Sequence, residues 1–223
     1  MKHKFFGLPK QPLAVAATAL VGIFFAVLPF LSGSYIDGVQ SLALIAQLVG
    51  VLGFVLVPIG IVWLVVDRRK HKGESPRTLP LYLIFVPGAL LAVQLLFATP
   101  LTDASRNRAI ANSAEIIRDI EAYKTEHGQY PLSLLALWPD YSPGVTGIKQ
   151  YYYEPHGESF NLVFEQPRFL LDNLGARELV VYNPRGEHQA VSHAAWRLTS
   201  PDAQGWYTTR ETSIPNWQSF LFD

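Results

Sequence analysis

The sequence predicts an α+β protein in two parts. Residues 1–100 form a membrane domain of three transmembrane helices, and residues 101–223 form an outer domain in which a long helix packs on a small antiparallel sheet. Three observations lead there. Charge is missing from three long stretches, an amphipathic helical pattern follows the third without a break, and the remainder alternates as short strands do. The chain has 223 residues, 49% hydrophobic and only 16% charged, with no cysteine and a formal net charge of zero. A soluble domain usually carries about a quarter charged residues, so the deficit itself points to spans.

No Asp, Glu, Lys or Arg occurs in Gln11–Ile36, Gly38–Val66 or Thr78–Thr102. Each gap exceeds the roughly 20 residues that cross about 30 Å of hydrocarbon. Spans are therefore expected near 12–32, 41–66 and 79–100. The first has a basic start, MKHKFFGLPK, but its apolar run outlasts the ~7–15 residues of a signal-peptide core and no Ala-x-Ala-like site follows. It is expected to be retained. Lys2, Lys4 and Lys10 precede the first span, and Arg68, Arg69, Lys70, Lys72 and Arg77 lie between the second and third. Only Arg106 and Arg108 stand just beyond the third. That asymmetry puts the N-terminus and the 67–78 loop in the cytoplasm and 101–223 outside. The cluster RRKHK reads as a topology determinant rather than a lipid or nucleic-acid patch. Gln40, Gln47 and Gln94 are the notable polar residues within the spans, and without an ionisable group there a transporter is not expected.

The outer domain has ten Lys or Arg against fifteen Asp or Glu, a net charge near −5. Such a surface repels phosphate backbones, so no nucleic-acid partner is expected. Without disulfides its stability must come from packing, and Tyr151–Tyr153, Trp196, Trp206, Tyr207 and Trp217 suggest an aromatic core. Asp103 to about His127 reads as a helix: Ile110, Ala114, Ile117, Ile120 and Tyr123 or Lys124 recur at three- and four-residue steps. Gly128 suits the left-handed residue that ends a helix, and Pro131 forbids a restart. Pro100, at the junction of span and outer helix, is expected to kink it, with Pro87-Gly88 a second weak point.

From Pro131 to Gly147 the pattern is loop, with one helical turn in Leu132–Leu137. Strands follow at Tyr151–Tyr153 and Ser159–Glu165 around a turn at His156-Gly157. Phe160, Leu162 and Phe164 alternate with Asn161, Val163 and Glu165, which predicts one buried sheet face. Glu178–Tyr182 is a strand before the turn Asn183-Pro184-Arg185-Gly186. Ala190–Leu198 and Gly205–Thr212 are further strands, and the tail Trp217–Phe222 packs on the core.

The run Ala109–Pro131, AIANSAEIIRDIEAYKTEHGQYP, directly after the uncharged Leu79–Pro100, resembles the spine of type IV pilins and type II secretion pseudopilins. Arg106, Arg108, Ala109, Ala111, Ile117, Ile120, Ala122, Tyr123, Gly128, Tyr130 and Pro131 fall in that pattern. Tyr151–Pro155 followed by Ser159–Glu165 looks like the first strands of a pseudopilin sheet. The likeness covers about 79–165. It implies a structural motif of Pro100, Ile117, Ile120, Tyr123, Gly128, Tyr130 and Pro131. It also implies a bacterial inner membrane with 101–223 in the periplasm, and a structural or interaction role in a secretion or envelope assembly. Two pilin features are absent: the run Leu79–Leu96 has no glutamate, and Pro76-Arg77-Thr78 offers no leader-peptidase site. A permanently anchored pilin-like domain is therefore expected, its partners the lipid bilayer and a protein in the membrane or periplasm.

Catalytic patterns are missing: no cysteine nucleophile, no G-x-S-x-G, no H-E-x-x-H and no phosphate-binding glycine loop. His156-Gly157-Glu158 has the H-x-E order of zinc deaminases without their cysteine pair. His188 and His193 are spaced poorly for ligands on one strand face, and with His127 they read as surface residues. Asp172 with Asn173, or Asp202 with Gln204, offer oxygens of the kind some pseudopilins use for calcium, but neither forms a ligand series. No enzyme activity, cofactor or metal site is expected. The alternatives are a periplasmic ligand or peptide sensor and, less favoured, a hydrolase uniting His156, Glu158 and His193.

Overall fold

A computed structural model describes residues 10–71, 77–172, 177–188 and 207–222. The expected strand Ala190–Leu198, together with Asn173, His193, Asp202 and Gln204, lies outside the described residues. The architecture is α+β, with a five-stranded antiparallel sheet and three helices long and apolar enough to cross a membrane: Gln11–Leu31, Asp37–Lys70 and Thr78–His127.

Helix α1 is Lys10–Leu31. The second of these helices is interrupted: α2, Asp37–Gly53, passes through a 3₁₀ turn, Phe54–Leu56, into α3, Val57–Lys70. Pro58 explains the turn. It lacks the N–H that would reach the Phe54 carbonyl, and its ring crowds that carbonyl. Helix α4 runs from Thr78 to Asn112, 35 residues and so roughly 52 Å long at the α-helical rise. It is helical throughout, including Pro87-Gly88 and Pro100. The ladder is broken at Ser113. The Ser113 N–H is shared between the carbonyls of Ala109 (3.1 Å) and Ile110 (3.2 Å), and Ser113 Oγ donates to Ile110 O at 2.6 Å. The Ile110 carbonyl, which would otherwise take the Ala114 N–H, is thereby occupied. Helix α5, Ala114–His127, resumes at once and ends at Gly128 (φ 75°), whose N–H closes on Lys124 O at 2.8 Å.

The strands are β1 Tyr152–His156, β2 Ser159–Gln166, β3 Arg177–Tyr182, β4 Tyr207–Glu211 and β5 Trp217–Phe222. Their order across the sheet is β1-β2-β3-β5-β4, every pair antiparallel. The tail expected to pack on the core is thus a sheet strand, inserted between β3 and β4. Gly157 (φ 60°) makes the β1–β2 turn. The turn after β3 closes with Gly186 N–H on Asn183 O at 3.1 Å.

Both sheet faces are buried along β2, not one. Phe160, Leu162 and Phe164 join Val180 and Trp217 against Ala109, Ile110, Ile116, Ile120 and Tyr130. Val163, with Leu179, Val181 and Phe220, packs on the opposite face. Asn161 can be fully buried because its side-chain oxygen accepts from Asn183 Nδ2 at 2.7 Å. The helix stripe is also shifted. Ile116 and Ile120 are buried, Ile117 sits at the edge of the core and Ala114 is exposed. Ser113, too polar to be read into a hydrophobic stripe, occupies the missing step, since its hydroxyl is satisfied by the backbone.

The described chain divides into two compact units, with the cut between Thr99 and Pro100. The first takes residues up to Leu28, Gly38–Thr99 and Phe169–Asp172. The second takes Pro29–Asp37, Pro100–Arg168 and the described residues after Asp172. Two short segments therefore depart from a simple division at residue 100. In the first unit α2–α3 packs antiparallel on α4 through glycines. A Cβ on Gly60 would fall 2.8 Å from Ile84 Cγ1, on Gly53 2.8 Å from Pro87 Cγ, and on Gly50 2.8 Å from Leu90 Cβ. Small residues let helix backbones approach closely where no hydrophobic drive exists between apolar helices in lipid. Gln94 Nε2 donates to Gln47 O (2.9 Å), and Gln47 Oε1 accepts the Leu170 N–H (2.9 Å). Both glutamines are buried, and each bonds a backbone group of another segment.

Candidate functional site

The C-terminal part of α4 carries a buried ionic network. Glu178 lies on the β3 face shared with Val180 and is 0% exposed. Its carboxylate accepts from Arg106 Nη1 at 2.9 Å, from Arg168 Nη1 and from Ser219 Oγ. Arg106 also pairs with Asp103, one helical turn earlier. Burying an ion is costly, and such a group holds only when charged partners and hydrogen bonds surround it. The network joins α4 to β3, β5 and the segment after β2. The sequence marks Arg106 as an orientation residue and as part of the pilin-like pattern, and Glu178 only as a strand residue. The available signal was parity: in Glu178–Tyr182 the acid shares the inward face of Val180 and Tyr182.

A second set of contacts fixes the loop between α1 and α2. The last carbonyls of a helix have no partners of their own and carry partial negative charge. Here Arg108 Nη1 donates to Leu31 O at 2.6 Å, Thr146 N–H to Ser32 O at 3.4 Å, and Thr146 Oγ1 to Ser34 O. Gly144 (φ 65°) lets the chain pass close by: a Cβ there would meet Gly33 O at 3.4 Å. Beside this clasp lies an open cavity of about 580 Å³ lined by Tyr35, Asp140, Tyr141, Ser142, Lys149 and Gln150, among others. Tyr35 donates to Asp37, and that hydrogen bond, reinforced by burial, pushes the phenol up to about 12. A smaller cavity of about 170 Å³ is lined by Leu132, Tyr141 and Tyr151–Tyr153.

The expected motif residues occupy different positions. Pro100 is exposed within α4, Ile120 is buried, Ile117 is half-buried and Tyr123 stacks on His127 with ring centroids 4.0 Å apart. Gly128 turns the chain left-handed, Tyr130 meets Phe160 edge-on at 5.0 Å, and Pro131 is buried. Tyr130 OH donates to Glu121 (3.1 Å), Tyr153 OH to Pro131 O (2.8 Å) and Trp138 Nε1 to Asp119 (3.0 Å). The segment after α5 is thus tied back to helix and sheet. Burial raises the hydroxyls of Tyr151 and Tyr153 well above the ordinary tyrosine value, so both remain donors.

His156 and Glu158 are not brought together. His156 Nε2 is 3.8 Å from Glu154, while Glu158 pairs with Lys124 (3.1 Å) and faces Arg185 (3.8 Å). His127 caps its own helix through Tyr123 O, and His188 reaches Asn216 O at 2.9 Å. Among the described residues no group of three or more His, Cys, Asp or Glu has metal-binding geometry. Comparison with protein-family models, curated proteins and solved structures returns no match.

Proposed function

We propose that the chain is a multi-pass protein of the bacterial inner membrane that holds a pilin- or pseudopilin-like domain in the periplasm. Its role there is structural or protein-interacting, within a secretion or envelope assembly, and not catalytic. The observation that carries this reading is α4. One helix begins as an uncharged span at Thr78, passes Pro100 and leads through α5 to Gly128, Tyr130 and Pro131, with its inner stripe on an antiparallel sheet. The basic residues flanking the spans support a cytoplasmic N-terminus and 67–78 loop. Alkaline phosphatase fused after Gly147 is expected to be active, and fused after Arg69 inactive; the reverse pattern would sink the compartment assignment. Crosslinking in native membranes would then identify the protein partner. The sensor alternative draws on the tyrosine-lined cavity near Leu132, whose roughly 170 Å³ suits one side chain rather than a whole small-molecule ligand.

A further inference from the structure

We propose that the cavity between the 32–36 loop and the 139–150 segment binds the headgroup of a zwitterionic aminophospholipid. Asp140 and the tyrosines take its ammonium, and Lys149 takes its phosphate. The 32–36 loop joins two helices apolar enough to cross a membrane, Gln11–Leu31 and Asp37–Lys70, so the cavity is lined by the segment that leaves one and enters the next. The proposal rests on the membrane reading above in that respect. The cavity, about 580 Å³, falls within the roughly 300–1,000 Å³ of small-molecule sites.

Its lining supplies one charge of each sign, and they do not pair with each other. Among the described residues Lys149 has no carboxylate within ion-pair reach, and Asp140 meets only the Ser142 N–H, through Oδ1 at 2.9 Å. A cation and an anion held apart across one cavity suit a dipolar ligand. An anionic headgroup would meet Asp140 unfavourably, and an uncharged one would leave both groups unanswered. Tyr35 and Tyr141 add aromatic surface, which attracts ammonium groups and is typical of the membrane interface. Ser142 Oγ accepts the Gly144 N–H at 3.3 Å, which leaves its own proton for a phosphate oxygen.

Native mass spectrometry of the full-length protein in detergent, with phosphatidylethanolamine, phosphatidylcholine or phosphatidylglycerol added, tests this. Phosphatidylethanolamine is expected to be retained in preference. Lys149→Glu and Asp140→Asn, both changes at exposed positions, should each lower that retention about tenfold without moving the melting temperature. Equal retention of the three lipids, preference for phosphatidylglycerol, or variants that behave as the parent would overturn the site. Displacement by soluble phosphoethanolamine at equal concentration would assign it to the free compound and overturn the lipid source. Carbonate extraction of cell membranes separates the two readings. Release of the chain sinks the membrane reading, whereas a retained chain without lipid preference sinks the headgroup site alone.

Discussion

Arg106 and Arg168 close on Glu178 from separate segments, and that arrangement makes single side chains here unusually consequential. Arg106→Ala would leave a buried carboxylate short of one charged partner, and breaking a buried pair this way costs roughly 3–5 kcal/mol. A thermal melt of the detergent-solubilised full chain measures it; an unchanged melting temperature would show that the network carries no stability. The helix stripe gives a second contrast. Ile116→Ala and Ile120→Ala should each cost roughly 2–5 kcal/mol, because transfer loss and cavity penalty add. Ile117→Ala should cost less, since it lies at the edge of the core. Lys124→Ala should leave the melt unmoved, its Glu158 partner being exposed. Equal effects from Ile116 and Ile117 would refute the observed phase. Sequence periodicity located this helix but put Ile117 on the core, because three- and four-residue steps from Ile110 reach it as readily as Ile116. The Ser113 hydroxyl, bonded to Ile110 O where the helical ladder breaks, is invisible in a hydrophobic pattern.

Elements were legible where composition alone dictates them and obscure where partners do. The three apolar stretches, β2, β3 and the Gly128 stop follow from charge gaps, alternation and glycine. The 3₁₀ turn at Phe54–Leu56 precedes Pro58, whereas α4 remains helical through Pro87 and Pro100. A proline interrupts one hydrogen bond, and whether the helix stops depends on what packs around it. Glycines at helix contacts carry a further prediction. With 2.8 Å between a Gly60 Cβ and Ile84 Cγ1, Gly60→Val forces α3 off α4 and should cost roughly 1–3 kcal/mol or more. Size-exclusion profiles and melts of the solubilised variant would reveal it; a variant as monodisperse and stable as the parent would contradict the close approach. Gln47 and Gln94 stood out as polar residues in apolar stretches, but the role of Gln47 needed Leu170, more than a hundred residues along the chain, to be brought beside it.

At the scale of the molecule, the grouping of Pro29–Asp37 with the second unit and of Phe169–Asp172 with the first depends on long-range contacts that no charge pattern carries. The anchored reading makes a prediction at this scale. Pilin assembly needs a leader cleaved before the spine and a carboxylate in hydrocarbon to neutralise the freed amine, since an unpaired charge there is costly. With no acid between Thr78 and Thr102, the protein should remain full length in membranes whether or not a prepilin peptidase is present. Intact-mass analysis from both backgrounds tests it, and a mature terminus near Leu79 with the domain in sheared filaments would overturn it. The position of β5 between β3 and β4 bears on biogenesis. The ribosome makes β4 before the strand that must separate it from β3, so β4 emerges with no neighbour to join. Until Trp217–Phe222 follows, β3 offers an open row of amides and carbonyls to whatever lies nearby. Synthesis of this domain therefore includes an interval of vulnerability to misassembly, the interval in which a holding chaperone would matter most.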